Sequence, residues 1–216
     1  MILLSDGNLA NGTEPWRLPD AASLARIDPG FATEPNHDGE FWPYLRDEAT
    51  LARPWALPGT PGLAHRVGGL EKEDGTGNIS YDPENHERMC RLRAEKVARV
   101  ADTIPPVTVR GDEDADLLVL GWGSTWGAIT AAVNTARRDG LRVAQAHLVH
   151  LNPFPPNLGE VLARYEKILV PEMNLGQLSR LIRAEFLAPA QAVTKIQGLP
   201  FTVTELVGAI RGALGK

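Results

Sequence analysis

The sequence predicts an α/β fold: a three-layer sandwich with a mostly parallel sheet, preceded by an extended segment rich in proline and glycine. Two observations predict it. Residues 112–216 alternate short apolar runs with amphipathic helical patterns, which is typical of βα units. Residues 1–110 hold most of the prolines and few periodic apolar segments, which indicates long ordered loops.

Four short runs of low polarity are the predicted strands of the α/β half, at residues 116–121, 141–148, 167–170 and 192–196. The first run is apolar at nearly every position, as expected for a strand that is buried on both faces. Parallel strands need crossover connections, and the helical patterns between these runs supply them. The alternation therefore predicts a doubly wound sheet.

Each predicted strand is followed by a helix with a capping residue and an apolar face. The candidate N-caps are Ser124 or Thr125, Asn157, Asn174 and Thr202. Glu205 completes a capping box with Thr202, and Gly140 ends the first helix. The residues expected to face the sheet are Trp126, Ile129, Val133, Ala136, Leu158, Val161, Leu162, Tyr165, Leu178, Leu181, Ile182, Phe186, Leu206, Val207, Ile210 and Leu214.

The extended segment contains too many aromatic residues for a solvated linker, so we expect it to pack against another domain or subunit. One helix is predicted within it, because Asp82 suits the N-cap and Pro83 suits the first helical position. The rough apolar stripe of this helix consists of Met89, Leu92, Val97 and Val100.

A Gly-rich turn, residues 121–127, joins the first strand to the first helix of the α/β half, where dinucleotide-binding folds hold pyrophosphate. Its spacing is G-x-G-x-x-x-G with bulky Trp122 and Trp126, and no acidic residue ends the next strand. We interpret it as a tight turn in which Gly121 and Gly123 serve packing. A nucleotide-binding flavodoxin-like domain is the alternative, and it requires NAD or flavin binding that Gly123→Ala weakens.

Composition excludes several classes of function. The net charge of −5 gives no reason to expect a nucleic acid or an anionic membrane as partner. A single cysteine, Cys90, excludes disulfides and metal sites built from several thiolates of this chain. The sequence shows no signal peptide, membrane span, metal site or catalytic nucleophile. We therefore expect a cytoplasmic protein.

The Pro-rich loop, residues 51–71, combines a rigid backbone with cationic side chains and a hydroxyl group. Such a loop suits carboxylate recognition, with arginine as the bidentate partner. An ordinary Pro-rich connector is the alternative. The candidate substrate-binding residues are Arg53, Thr60, His65 and Arg66.

Several motifs resemble the α subunit of 2-oxoacid:ferredoxin oxidoreductases, most closely the 2-oxoglutarate branch. They lie at residues 4–17, 53–71, 73–80, 85–87 and 171–177. The resemblance implies that residues 1–20 are a remnant of a pyrimidine-binding domain, its last strand and exit loop. Residues 21–111 are then a linker with one helix, and residues 112–216 a transketolase C-terminal-like domain. It also implies a C-terminal fragment, from a truncated gene or a late start codon, that is inactive alone.

The resemblance implies an enzyme that decarboxylates a 2-oxoacid oxidatively, transfers the acyl group to coenzyme A and reduces ferredoxin. Thiamine diphosphate, Mg²⁺ and an iron–sulfur cluster are then bound mainly outside this chain, in part by a β subunit of the same hetero-oligomer. Thr60 falls where the family's loop approaches the substrate, and Arg53 is the nearest carboxylate clamp, with His65 and Arg66 in reserve. No catalytic residue is expected in this chain.

Two other functions fit the same residues. The chain could be a non-catalytic interaction module whose extended segment docks on a β-type subunit and leaves turnover unchanged. The complex could also oxidise another 2-oxoacid, such as pyruvate.

Overall fold

The computed structural model describes residues 2–5, 11–13 and 17–216. Much of the predicted strand and exit loop at residues 1–20 therefore lies outside the described residues. The helices and strands are, in order, β1 (Phe31–Ala32), β2 (Trp55–Ala56), α1 (Pro83–Ala98), β3 (Val109–Arg110), β4 (Leu117–Trp122), α2 (Trp126–Arg138), β5 (Val143–Leu148), α3 (Leu158–Ala163), β6 (Ile168–Glu172), α4 (Gln177–Phe186), β7 (Ala190–Thr194) and α5 (Val203–Leu214).

The main sheet has five strands in the order β3-β5-β4-β6-β7. Strands β4 to β7 are parallel, with Leu117 opposite Val143 and Leu118 opposite Ile168, and β3 is antiparallel to β5. The mostly parallel sheet predicted from the sequence is confirmed. The short edge strand β3 was not predicted, because two residues carry no readable periodicity.

Helices cover both faces of this sheet, which gives the predicted three layers. On one face α2 and α5 bury Ile129, Val133 and Ile210 against Leu117 and Val119. On the other face α3 and α4 pack on alternate strand residues; the apolar side chains there include Leu118, Leu120, Leu158, Leu162, Leu178 and Ile182. Strands buried on both faces explain why their sequences are continuous apolar runs.

Several details of the prediction are wrong. Trp126 and Leu181, expected to face the sheet, are 43% and 47% exposed. The last strand is Ala190–Thr194 rather than residues 192–196. Helix α4 is preceded by Gly176 at a φ of 87°, and Asn174 accepts hydrogen bonds from the amides of Gly176 and Gln177. The capping box of Thr202 and Glu205 is confirmed.

The segment before the sheet is held by short pairings rather than by a layered core. β1 and β2 pair in parallel, with Phe31 opposite Trp55. Asp82 caps α1 as predicted, by accepting from the Glu84 amide at 3.0 Å. Met89 is the buried residue of this helix, whereas Val97 and Val100 are exposed, so the expected apolar stripe is largely unburied in this structure.

Candidate functional site

A cavity of about 330 Å³ opens within the Pro-rich loop. Three of the four predicted substrate residues, Arg53, His65 and Arg66, lie in its wall together with Lys72. The other lining residues are Pro43, Tyr44, Pro54, Trp55, Ala56, Val67 and Gly68. Its volume is at the lower end of the range for sites of small molecules.

Thr60, the fourth predicted residue, is not in the wall of this cavity. Its amide and its hydroxyl both bond to the Leu57 carbonyl oxygen, at 3.1 Å and 2.9 Å. The Leu63 amide in turn donates to the Thr60 carbonyl at 3.3 Å. In this structure Thr60 therefore stabilises the turn that joins β2 to the segment carrying His65.

The Arg53 guanidinium lies over the Tyr44 ring, 4.2 Å from the ring centroid, a cation–π contact that orients it. Arg46 is close by, and its Nη1 donates to the Leu51 carbonyl at 3.1 Å. Burial lowers the pKa of Arg46, and the Arg53 cation lowers it further, against the raising effect of Asp74. This part of the loop is therefore electrostatically positive.

His65 is oriented by its own loop. Its Nδ1 lies 2.8 Å from the Leu63 carbonyl oxygen, so Nδ1 carries the proton in the neutral ring. The ring meets Phe41 edge-on, with centroids 5.1 Å apart. Nε2 is thus the ring nitrogen available to a ligand, as an acceptor in the neutral ring and as a donor when the ring is protonated.

Lys72 is a buried cation that sequence reasoning missed. It is 4% exposed, and its Nζ donates to the carbonyl oxygens of Gly68 at 2.9 Å and Leu70 at 2.6 Å. Between Glu71 and Glu73 it looks like an ordinary surface lysine, so no local signal marks it. Its side chain is turned back onto the end of the Pro-rich loop by these two bonds.

Helix α1 is bonded to residues 71–74, at the end of the Pro-rich loop. The Asn85 side chain accepts from the Asp74 amide at 3.0 Å and donates to the Lys72 carbonyl at 3.0 Å. Glu71 is paired with His86 at 2.6 Å and with Arg93 at 3.3 Å. The hydrogen bond from His86 is the main cause of the lowered pKa of Glu71.

The acidic groups next to the cavity are therefore engaged elsewhere, and no Asp or Glu lines its wall. Within the described part of the chain, Arg53 and Arg66 form no ion pair. Guanidinium groups without a protein counter-ion suit the binding of a carboxylate or another oxyanion. The chemistry of this wall suits binding and orienting such a group.

The Gly-rich turn does not form a comparable site. A Cβ on Gly121 would lie 2.6 Å from Ile129 Cδ1 and 2.9 Å from His147 Nδ1, so Gly121 is required for packing. Gly123 has no atom within 4 Å of such a Cβ, but its φ is +54°, so its role is conformational rather than in packing. Burial lowers the pKa of His147, which keeps its ring neutral near pH 7.

No cluster of three or more His, Cys, Asp or Glu suited to a metal ion occurs among the described residues. No helix in the described ranges is long and apolar enough to cross a membrane.

Comparison with known proteins bears on both halves of the chain. The family model described as pyruvate:ferredoxin oxidoreductase core domain II matches residues 115–206. The chain is 52% identical to 2-oxoglutarate oxidoreductase subunit KorA of Mycobacterium tuberculosis, over 99% of this chain and 32% of that protein. It is 31% identical to 2-oxoacid:ferredoxin oxidoreductase 1, subunit alpha, of Aeropyrum pernix, over 97% of this chain and 33% of that protein.

A solved structure is also similar, the 2-oxoglutarate:ferredoxin oxidoreductase from Magnetococcus marinus with 2-oxoglutarate, coenzyme A and succinyl-CoA bound. The TM-score is 0.79 at 32% identity, over 91% of this chain and 34% of that chain. The chain thus spans about a third of the length of these relatives.

Proposed function

The chain belongs to the α-subunit family of 2-oxoacid:ferredoxin oxidoreductases, in its 2-oxoglutarate branch, and we propose that it works as part of such a subunit. The reaction is the oxidative decarboxylation of a 2-oxoacid, with 2-oxoglutarate as substrate, formation of the acyl-CoA and reduction of ferredoxin. The observation that supports this most directly is the cavity whose wall contains Arg53, His65 and Arg66 and no Asp or Glu. Pyruvate is the alternative substrate.

The division of the chain follows from the same proposal. Residues 1–20 end a pyrimidine-binding domain, residues 21–111 form the linker, and residues 112–216 form a transketolase C-terminal-like domain. The last unit contains the span that matches core domain II. Its role is that of a scaffold and a subunit contact.

In the proposed reaction this chain binds and orients the substrate. Arg53, held over Tyr44, receives the carboxylate next to the keto group, and Arg66 supplies further donors from the same wall. Thr60 remains a substrate-binding candidate. To bind the substrate, its hydroxyl must give up its hydrogen bond to the Leu57 carbonyl and form one to the substrate instead.

The described residues do not fit the redox and thiamine chemistry of the reaction. They contain one cysteine and no group of three or more metal-ligating side chains, so they do not supply the thiolates of an iron–sulfur centre. We propose that thiamine diphosphate, Mg²⁺ and the cluster bind mainly outside this chain. The partners are a β subunit in a cytoplasmic hetero-oligomer, ferredoxin and coenzyme A.

Reconstitution tests this proposal. The full-length α polypeptide containing this chain, mixed with its β subunit, is expected to reduce ferredoxin with 2-oxoglutarate and coenzyme A. Arg53→Gln is expected to raise KM by at least about tenfold, because it removes a charge-assisted bond to the substrate. Arg138→Gln, an exposed arginine in the last turn of α2, is the matched control and leaves KM unchanged. Equal kinetics for both variants would contradict the role of Arg53.

The chain without a β subunit is expected to be inactive. Thiamine-dependent oxidation of 2-oxoglutarate by the purified 216-residue chain would refute that expectation.

A non-catalytic docking module is the second candidate function. It is favoured by exposed apolar side chains around the cavity, namely Trp55, Leu57, Val67, Leu70 and Tyr81. Under this hypothesis the chain copurifies with a β-type subunit while Arg53→Gln leaves turnover unchanged.

A further inference from the structure

A second cavity, of about 320 Å³, lies in the α/β domain beside helix α2 and the edge strand β3. It shares no residue with the cavity of the Pro-rich loop, and the proposed function does not use it. Its volume is at the lower end of the range for sites of small molecules. The residues of its wall are Thr108, Arg110, Trp126, Gln145, His147 and Val149.

Three of these side chains lie on one face of the sheet. Arg110 on β3 is opposite Gln145 on β5, and His147 follows Gln145 by two residues, so strand alternation directs all three to the same side. Helix α2 covers that side. The Gln145 amide donates to the Thr130 hydroxyl at 2.9 Å, and the His147 ring meets the Trp126 ring edge-on, 5.0 Å between centroids. The Arg110 guanidinium lies 5.4 Å from the centroid of Trp126.

Gln145 gives the cavity a polar floor. Its residue is 2% exposed, and its side-chain Nε2 donates to Thr130, whereas Oε1 accepts no hydrogen bond from the described residues. In the described part of the chain, the atoms sealed from solvent without a partner are Arg46 Nε and His147 Nδ1, so Gln145 Oε1 is open towards the cavity. Buried amides are normally fully bonded. A hydroxyl group of a ligand suits this position, because it pairs with either end of an amide.

The exposed part of the wall is cationic and apolar. Arg110 forms no ion pair within the described ranges, and no Asp or Glu lines the cavity. Burial lowers the pKa of His147, so the Arg110 guanidinium is the charged group of this wall near pH 7. Trp126 and Val149 add apolar surface that is 43% and 80% exposed. An arginine beside an exposed indole suits an anion with a flat apolar body.

We infer that this cavity binds a small aromatic carboxylate that carries a ring hydroxyl. The carboxylate pairs with Arg110, and the hydroxyl bonds to the Gln145 amide. The ring packs against Trp126 and Val149. Exposure fixes this orientation, because the ionised end stays at the solvent-exposed Arg110 while the group that loses its water finds a partner at the buried Gln145.

Isothermal titration calorimetry of the purified 216-residue chain tests the inference with three probes of similar shape. Para-hydroxybenzoate carries both groups, para-hydroxybenzamide lacks the charge, and benzoate lacks the hydroxyl. Para-hydroxybenzoate is expected to bind at least about tenfold more tightly than the amide, because the amide forms no charge-assisted bond to Arg110. It is expected to bind at least about threefold more tightly than benzoate, which leaves the Gln145 amide unpaired.

Two variants separate the two contacts. Arg110→Gln is expected to remove the preference over the amide and to keep the preference over benzoate. Gln145→Met, which keeps the length of the side chain and removes its amide, is expected to do the reverse. Arg180→Gln and Gln177→Met, at exposed positions of α4 on the opposite face of the sheet, are the matched controls and leave all three affinities unchanged. Thermal unfolding shows whether each variant is folded.

The comparison of probes on the wild-type chain does not depend on any variant. No binding of para-hydroxybenzoate, or equal affinities for the three probes, would overturn the inference. Equal effects of Arg110→Gln and Arg180→Gln would overturn it as well, since the carboxylate would then bind elsewhere on the chain. Reduction of ferredoxin by the reconstituted complex is a separate readout, so failure of either proposal leaves the other standing.

Discussion

The extended segment, residues 1–111, contains 29 charged side chains and the α/β domain that follows contains 20, and the two regions use them differently. In the domain, buried apolar residues form continuous clusters on both faces of the sheet, and the ion pairs lie at its surface. In the segment, polar contacts of Glu71, Asp74 and Asn85 connect the end of the Pro-rich loop to helix α1. The buried apolar clusters therefore lie in one region and the candidate site in the other.

The difference teaches why the candidate site lies where it does. A loop stabilised by polar contacts can present cations to a ligand, whereas a close-packed core excludes them. One buried carboxylate inside the domain illustrates the contrast. Glu172 is fully buried, yet it accepts the amides of Leu178 at 2.8 Å and Ser179 at 2.9 Å at the start of α4. It is bonded by the backbone of a regular helix, whereas the buried Lys72 is bonded by two carbonyls of the Pro-rich loop.

The largest expected effect tests whether stability resides in the domain. Ile182→Ala removes a fully buried side chain and should lower the free energy of unfolding by about 2–5 kcal/mol. Val97→Ala on α1, where the side chain is 43% exposed, is the control and should change it by less than about 0.5 kcal/mol. Urea denaturation of the purified chain measures both. Equal losses would show that the two regions are stabilised alike.

The next effect concerns two glycines close together in sequence. Gly121→Ala should destabilise the chain by about 1–3 kcal/mol, because the new Cβ meets Ile129 and His147. Gly127→Ala should stabilise it by about 0.5–1 kcal/mol, because Gly127 lies in α2 with no atom within 4 Å of its Cβ position. Thermal denaturation of both variants gives the two signs, and a stabilising Gly121→Ala would contradict the packing assignment.

A smaller effect is expected where the two regions join. The Asn157 side chain accepts from the Val107 amide at 2.8 Å and donates to the Val107 carbonyl at 2.9 Å. Asn157→Ala leaves both backbone groups unpaired and should cost roughly 1–2 kcal/mol. Faster hydrogen exchange of the Val107 amide is the readout. Asn134→Ala, on the exposed side of α2, should leave that exchange rate unchanged.

The smallest effect is electrostatic and depends on pH. The Thr202 amide, Lys195 and the Thr202 hydroxyl lower the pKa of Glu205 from 4.5 to about 2. The ionised carboxylate is therefore stabilising above pH 4.5, and this contribution is lost as the pH falls towards 2. Glu205→Gln should lower Tm at neutral pH, and the difference from wild type should vanish in acid. Glu185→Gln, an exposed carboxylate on α4, should show no such convergence.

Much of the domain was predictable because its signals are local. The apolar runs of β4, β5 and β6 and the capping box at Thr202 depend on neighbours within a few residues. The exposure of Trp126 and Leu181 was not predictable. A helix at the edge of a layer is only partly covered, and the periodicity of its apolar residues does not show which elements cover it. The cap of α4 was also missed, because the Glu172 carboxylate that accepts from the first amides of this helix belongs to the preceding strand.

By itself the sequence determined the order of the βα units, the caps at Asp82 and Thr202, the single cysteine and the basic character of the Pro-rich loop. These properties follow from composition and from contacts between residues close in the chain. Only the tertiary structure decided that Arg53, His65 and Arg66 share a cavity, that Thr60 does not line it, and that the buried Lys72 does. The physical reason is that burial and the lack of a counter-ion depend on contacts across the fold, and residue spacing in a loop does not encode them.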